Sequence, residues 1–81
     1  MALVIDIVKL EHNEKIVRYK YYICSTPNDY GVLEIDLDSE KVYEIKQAPN
    51  DYDRLLFNRA AMKISKHWEE GNFPEKTCWA S

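Results

Sequence analysis

Apolar and polar residues alternate with the two-residue period of β-strands through the first half of the chain. Four segments follow this pattern: 2–10, 16–24, 31–37 and 41–46. Short polar connections separate consecutive segments, which is typical of strands that lie antiparallel to their neighbours. The pattern therefore predicts a four-stranded antiparallel sheet in which each strand follows its predecessor, a meander.

The same alternation assigns one face of each strand to the core. In the third and fourth strands the predicted inward set is Leu33, Ile35, Leu37, Tyr43 and Ile45. The predicted outward set of these strands is Val32, Glu34, Asp36, Val42, Glu44 and Lys46. We therefore expect the carboxylates of this hairpin to lie together on the solvent side of the sheet.

The period changes to about 3.6 residues after Pro49, which predicts one helix that ends near Glu70. Its apolar stripe, which must cover the sheet, consists of Leu56, Phe57, Ala60, Ala61, Ile64 and Trp68. Asn50 or Asp51 can cap the helix start, and Gly71 is placed to end the helix in the left-handed conformation. The prediction is a single α+β domain over residues 1–81, ordered ββββα, with the helix on one face of the sheet. A short C-terminal tail follows, and its docking as an edge strand is left open.

Composition and charge exclude some classes of function. The 81 residues are 46% apolar and 31% charged, typical of one small folded domain without room for a separate cofactor domain. The net charge is −3, but residues 29–53 carry eight acidic and only two basic side chains. Such an acidic block repels phosphate backbones and attracts a basic partner. We therefore expect a protein partner and no nucleic acid.

Motifs for catalysis or metal binding do not occur. Gly31 and Gly71 are the only glycines, so no glycine-rich phosphate loop exists. Neither a Cys-x-x-Cys nor a His-Glu-x-x-His motif occurs, so zinc is not indicated. His67 lies at the border of the apolar stripe and is expected to be a half-buried, hydrogen-bonded structural residue. The sequence therefore predicts no enzyme activity, no cofactor and no metal.

The apolar runs and the cysteines indicate the cellular compartment of the protein. The longest apolar run, Ala2-Leu3-Val4-Ile5, stops at Asp6 and is far shorter than the roughly 20 residues that span a bilayer. The N-terminus also lacks the features of a signal peptide. Cys24 and Cys78 are the only cysteines, and we expect them to be free, mostly buried thiols. These features indicate a cytoplasmic protein that does not insert into membranes.

Tyrosines and two helix residues suggest contact surfaces. Tyr22 and Tyr30 are expected near the outward carboxylates, where an aromatic ring with a hydroxyl suits protein recognition. Leu55 and Met62 lie seven residues apart on the helix face opposite the apolar stripe, as a possible second interface for a dimer or for the tail. The tetrapeptide Pro-Asn-Asp-Tyr occurs at 27–30 and 49–52, and we interpret both copies as turn and cap chemistry.

A family resemblance extends this picture. Four strands followed by one helix, in an acidic chain of this length, resemble the small immunity proteins of bacterial polymorphic and contact-dependent toxin systems. The similarity covers residues 30–80, from Tyr30-Gly31-Val32-Leu33 through Ala60 to Asn72-Phe73-Pro74-Glu75. It implies a cytoplasmic protein that binds the toxin domain of its own system and blocks its active site. Many such toxins are nucleases and therefore basic.

The leading hypothesis is a non-enzymatic immunity protein that occludes a basic toxin domain, most often a nuclease. Its predicted contact residues are Tyr22, Tyr30, Glu34, Asp36, Asp38, Glu40 and Glu44. The alternative from another class is a homodimeric structural or adaptor module that pairs through Leu55 and Met62 or through a strand edge. An RNA-binding surface around Arg18 and Lys20 is a third hypothesis, which the outward carboxylates of the third and fourth strands disfavour.

Overall fold

The computed structural model describes residues 3–80 and shows five antiparallel strands with one α-helix packed on one face of the sheet. In chain order the elements are β1 (Val4–His12), β2 (Ile16–Ile23), β3 (Gly31–Asp36), β4 (Lys41–Lys46), α1 (Leu55–Glu69) and β5 (Lys76–Ala80). The sheet order is β4-β3-β2-β1-β5. The α+β class and the meander of the first four strands are confirmed. Parts of the predicted first strand and of the tail, at residues 2 and 81, lie outside the described residues.

The predicted number of four strands is too low, because the C-terminal tail forms a fifth strand, β5. This strand pairs with β1 in antiparallel register, from Val4 opposite Ala80 to Val8 opposite Lys76. β1 therefore lies in the interior of the sheet, with a hydrogen-bonded neighbour along each of its edges. The second neighbour is supplied by a segment that is too short and too mixed to give a strong strand pattern on its own.

The core lies between the sheet and α1. Its fully buried strand residues are Ile5, Ile7, Val17, Tyr19, Tyr21, Leu33 and Ile35. The helix contributes Leu56, Ala60 and Ile64, and Phe57 and Trp68 pack against the same cluster. The predicted stripe is thus the sheet-facing side of α1. Gly71 has a φ of 84° and ends the helix in the predicted left-handed conformation.

The start of α1 depends on Asp51. The helix begins at Leu55, and the preceding Arg54 has a left-handed φ of 61° and gives no side-chain cap. Instead the buried Asp51 carboxylate accepts hydrogen bonds from the backbone N–H groups of Leu56 and Phe57, at 2.9 and 3.0 Å. Of the two predicted caps, Asp51 is therefore the one that binds the helix N-terminus.

The two Pro-Asn-Asp-Tyr copies form the same turn. The Asp29 N–H donates to the Thr26 carbonyl at 3.1 Å, and the Asp51 N–H donates to the Ala48 carbonyl at 3.0 Å. Each turn therefore has proline at its second position, where the fixed φ of proline is favourable. This agrees with the interpretation of the repeat as turn chemistry.

The predicted facing of β4 is wrong. Glu44 lies opposite Leu33 and Val42 opposite Ile35, so both lie on the helix side of the sheet. The register shifts between Val32 and Leu33, which leaves an extra residue in β4. Exposed fractions agree with this register, at 45% for Tyr43 and 54% for Ile45. The observed facing of residues 42–45 is therefore the reverse of the predicted one, whereas the extra residue leaves Lys46 opposite Val32, on the face away from α1 as predicted.

Candidate protein-binding surfaces

Two of the predicted contact residues, Glu34 and Glu44, lie on opposite faces of the sheet. Glu34 is on the face that α1 leaves uncovered, opposite Arg18 of β2. One carboxylate oxygen of Glu34 accepts from Arg18 Nη2 at 2.6 Å and from Nε at 3.1 Å. This hydrogen bond raises the pKa of Arg18. The charge of Glu34 is therefore engaged by a neighbouring strand.

Glu44 is also engaged internally. Its side chain is 13% exposed and forms an ion pair with Arg54 Nη2 at 3.1 Å. The hydroxyl of the buried Tyr21 donates to Glu44 Oε2 at 3.4 Å. Burial, with a smaller contribution from Glu44, raises the pKa of Tyr21 well above the ordinary value. Glu44 thus joins β4 to the helix entry and does not reach the surface that carries Glu34.

The other three predicted carboxylates lie at the β3–β4 turn. Asp36 Oδ1 accepts from the backbone N–H groups of Asp38 and Ser39, at 2.9 and 3.3 Å, and so shapes the turn itself. Asp38 and Glu40 are exposed at its tip. The predicted set of five carboxylates is therefore divided among three places. Of these five, only Asp38 and Glu40 lie together and form no ion pair with a residue that the structure describes.

The β3–β4 turn faces the C-terminal end of α1 across a shallow concavity of about 340 Å³. Its lining consists of Glu40, Ser65, Trp68 and Glu69. Trp68 is half-buried and packs against the core, with its ring 6.0 Å from that of Phe73. We call Asp38, Glu40, Trp68 and Glu69 the acidic end. Sequence reasoning missed Glu69 as a site residue, because only the chain fold brings the helix C-terminus beside the hairpin.

Tyr22 and Tyr30 are associated with the uncovered sheet face, but lysines of the chain already contact both rings. Lys46 Nζ lies 3.7 Å from the centroid of the Tyr30 ring, and Lys20 Nζ lies 5.7 Å from the centroids of both tyrosines. Both tyrosines are half-buried. Cation–π contacts of this kind hold the rings in place and reduce the ring area that is open to a partner.

Leu55 and Met62 differ in their surroundings. Leu55 is half-buried, whereas Met62 is 57% exposed. Met62 lines a groove between α1 and β5 together with Lys63, Lys66 and Trp79, and the volume of this groove is about 290 Å³. The expected second surface is therefore represented by Met62, and its other members come from β5 and from basic residues of the helix.

The remaining candidate side chains have structural roles or are isolated. His67 is half-buried with Nε2 3.0 Å from Thr77 Oγ1, as expected for a structural histidine. Cys24 and Cys78 are free but exposed, so the expectation of buried thiols is wrong. Both belong to the uncovered sheet face, where no second layer shields them. Among residues 3–80 no group of three His, Cys, Asp or Glu side chains could hold a metal ion.

Within the described part of the chain, no helix has the length and apolar character needed to cross a bilayer. The sequence matches no protein-family model, and neither a curated protein nor a solved structure matches the chain.

Proposed function

We propose that this chain is a non-enzymatic binding protein that presents its acidic end to a basic partner domain. The observation that carries the proposal is that Glu40 and Glu69 flank the half-buried ring of Trp68 in one concavity. Neither of these carboxylates, nor that of Asp38, forms an ion pair with another residue in the range 3–80. Their charge therefore remains available to a partner.

This arrangement suits protein recognition better than catalysis. Energetically dominant contacts in interfaces are often aromatic residues in a partly enclosed site surrounded by polar groups. Carboxylates around such a site accelerate the encounter with a positively charged surface and select against acidic partners. The concavity is shallow and offers no pair of carboxylates with clearly different environments, which acid–base catalysis would need.

More narrowly, we propose that the chain is an immunity protein that inhibits a toxin of its own system. A nuclease binds phosphates through Lys and Arg side chains, and the carboxylates of Asp38, Glu40 and Glu69 would occupy those positions. Inhibition would then result from occlusion of the nucleic-acid site. The contact set is smaller than the sequence predicts, since Glu34 and Glu44 are already paired with arginines.

The test is co-purification with the product of the neighbouring reading frame, followed by binding measurements at low and high salt. Glu40→Lys/Glu69→Lys should weaken binding at least tenfold and reduce its salt dependence. The matched control is Asp29→Lys/Asp53→Lys, which makes the same change of net charge in the loops at the other end of the sheet. Equal binding by the two double variants would overturn the proposal, as would a neighbouring product that is acidic or does not co-purify.

A further inference from the structure

The outer edge of β5 is open to another strand. Among residues 3–80, β5 pairs only with β1 and is the last strand of the sheet. The Lys9 N–H donates to the Glu75 carbonyl at 2.9 Å, so Lys9 and Glu75 form a hydrogen-bonded pair. In an antiparallel ladder every second pair is hydrogen-bonded in this way. The backbone groups of Thr77 and Trp79 therefore point toward β1. The N–H and C=O groups of Lys76, Cys78 and Ala80 point outward, where an added strand would bind them.

The opposite edge of the sheet is less suited to pairing. β4 contains the extra residue at the register shift, has a lysine at each end and turns the charged Glu44 inward. These are the features by which natural sheets prevent pairing of edge strands. β5 runs in uninterrupted register along β1 and contains a single charged residue, Lys76. Of the two edges, β5 is therefore the one that can accept a further strand.

A groove follows this open edge on the helix side. Trp79 of β5 forms one wall and Met62 of α1 the other. The Arg59 guanidinium carbon lies 5.2 Å from the centre of the Trp79 ring, and Arg59 Nη1 lies 3.7 Å from Met62 Sδ. A strand added to β5 would direct every second side chain into this groove.

The charge of the groove identifies the chemistry of its occupant. Arg59, Lys63 and Lys66 recur at helical spacing on the side of α1 that faces β5. None of these three cations forms an ion pair with any residue that the structure describes. An acidic side chain that enters the groove would therefore meet free positive charge beside the apolar surface of Met62 and Trp79.

We propose that β5 binds an extended acidic segment of a partner protein as a sixth strand. Backbone groups of Lys76, Cys78 and Ala80 hold the main chain of the segment, and Arg59, Lys63 and Lys66 select acidic side chains at alternate positions. A second copy of this chain fits the site poorly. Pairing of β5 with β5 would bring the basic sides of two α1 helices together, and like charges repel.

The probe is a short fluorescent peptide in which glutamate alternates with valine, with binding followed by anisotropy. Lys63→Glu/Lys66→Glu should weaken binding at least tenfold, whereas Lys15→Glu/Lys41→Glu, with the same charge change elsewhere, should not. Cys78→Pro removes an outward N–H while leaving the bonds to β1, and should also abolish binding; Cys78→Ser is its control. N-methylation of every second peptide amide should block binding when the methylated amides face β5. Methylation of the other alternate set should leave binding unchanged.

Three results would overturn the proposal. The first is peptide binding that is unchanged in Cys78→Pro or in Lys63→Glu/Lys66→Glu. The second is concentration-dependent dimerisation that Cys78→Pro prevents, which would assign the edge to a second copy of the chain. The third is equal affinity for a single-stranded oligonucleotide of matched charge, because a nucleic acid cannot continue the β-ladder. The acidic end shares no residue with this site, so the two proposals succeed or fail separately.

Discussion

Removal of the Asp51 carboxylate should be among the most damaging changes outside the apolar core. Asp51 is 1% exposed, and its two oxygens accept from two different N–H groups of the first helical turn. Arg54, at the position that normally provides the cap, offers no side-chain bond. Asp51→Ala therefore leaves the Leu56 and Phe57 donors without acceptors, at a place where water has little access.

The expected cost follows from these two bonds. A buried donor that loses its partner costs about 1–3 kcal/mol, and loss of a helix cap typically costs about 0.5–2 kcal/mol. Because the two descriptions overlap, we expect a decrease of about 2–4 kcal/mol in the free energy of unfolding. In a domain of this size each kcal/mol corresponds to about 4–8 °C, so the melting temperature should fall by roughly 8–32 °C.

Urea unfolding monitored by circular dichroism measures this loss, with Asp53→Ala as the matched control. Asp53 is exposed and accepts one hydrogen bond from the Leu55 N–H at 3.1 Å, so its removal should cost less than about 1 kcal/mol. Asp51→Asn, which keeps an acceptor oxygen but loses the charge, should fall between the two. Equal losses in Asp51→Ala and Asp53→Ala would refute the assignment of the cap to the buried carboxylate.

Three further predictions concern the backbone and the buried tyrosines. Gly31→Ala should lower the free energy of unfolding by about 1–3 kcal/mol, because a Cβ there would lie 2.5 Å from the Tyr21 hydroxyl oxygen. Gly71→Ala should lower it by about 1 kcal/mol, because of its positive φ alone. Urea unfolding measures both losses. Arg54→Gly should melt above Arg54→Ala, since both lose the ion pair but only glycine accepts the left-handed φ of 61° freely; the reverse order would exclude backbone strain. Burial raises the pKa of Tyr19 to about 12, above the unfolded value of about 10. The stability that comes from burying the neutral Tyr19 hydroxyl is therefore complete below pH 10 and declines toward pH 12. Tyr19→Phe should flatten that alkaline decline in urea titrations, and an unchanged slope would count against the raised pKa.

The fold could be predicted wherever the local pattern and the tertiary contacts agree. The first three strands and the sheet-facing stripe of α1 have strong apolar periodicity, and each lies where that periodicity places it. The tail is the opposite case. Its five residues gain strand structure only from pairing with β1, a segment about seventy residues earlier in the sequence. No signal local to the tail indicates such a long-range pairing.

The facing of β4 could not be predicted because its buried position is polar. Period-two reasoning places the larger apolar residues Tyr43 and Ile45 inward and Glu44 outward. In the structure Glu44 is acceptable on the helix side, since Arg54 and the Tyr21 hydroxyl satisfy its carboxylate. Both partners come from other elements. An ion pair with the exposed Arg54 and a hydrogen bond from the buried Tyr21 thus satisfy Glu44 on the helix side, and the sequence pattern of β4 contains no sign of either partner.

The acidic block of the sequence, residues 29–53, is larger than the acidic surface of the protein, because the fold gives many of its carboxylates internal partners. Of its eight carboxylates, five have internal partners: Glu34, Asp36, Glu44, Asp51 and Asp53. Two of these neutralise arginines, and three accept from backbone N–H groups at a turn or at the start of α1. The charge that a partner can meet is therefore set by how many carboxylates the fold has already used. Glu69, which lies outside the block, contributes to the acidic end because α1 ends beside the β3–β4 turn.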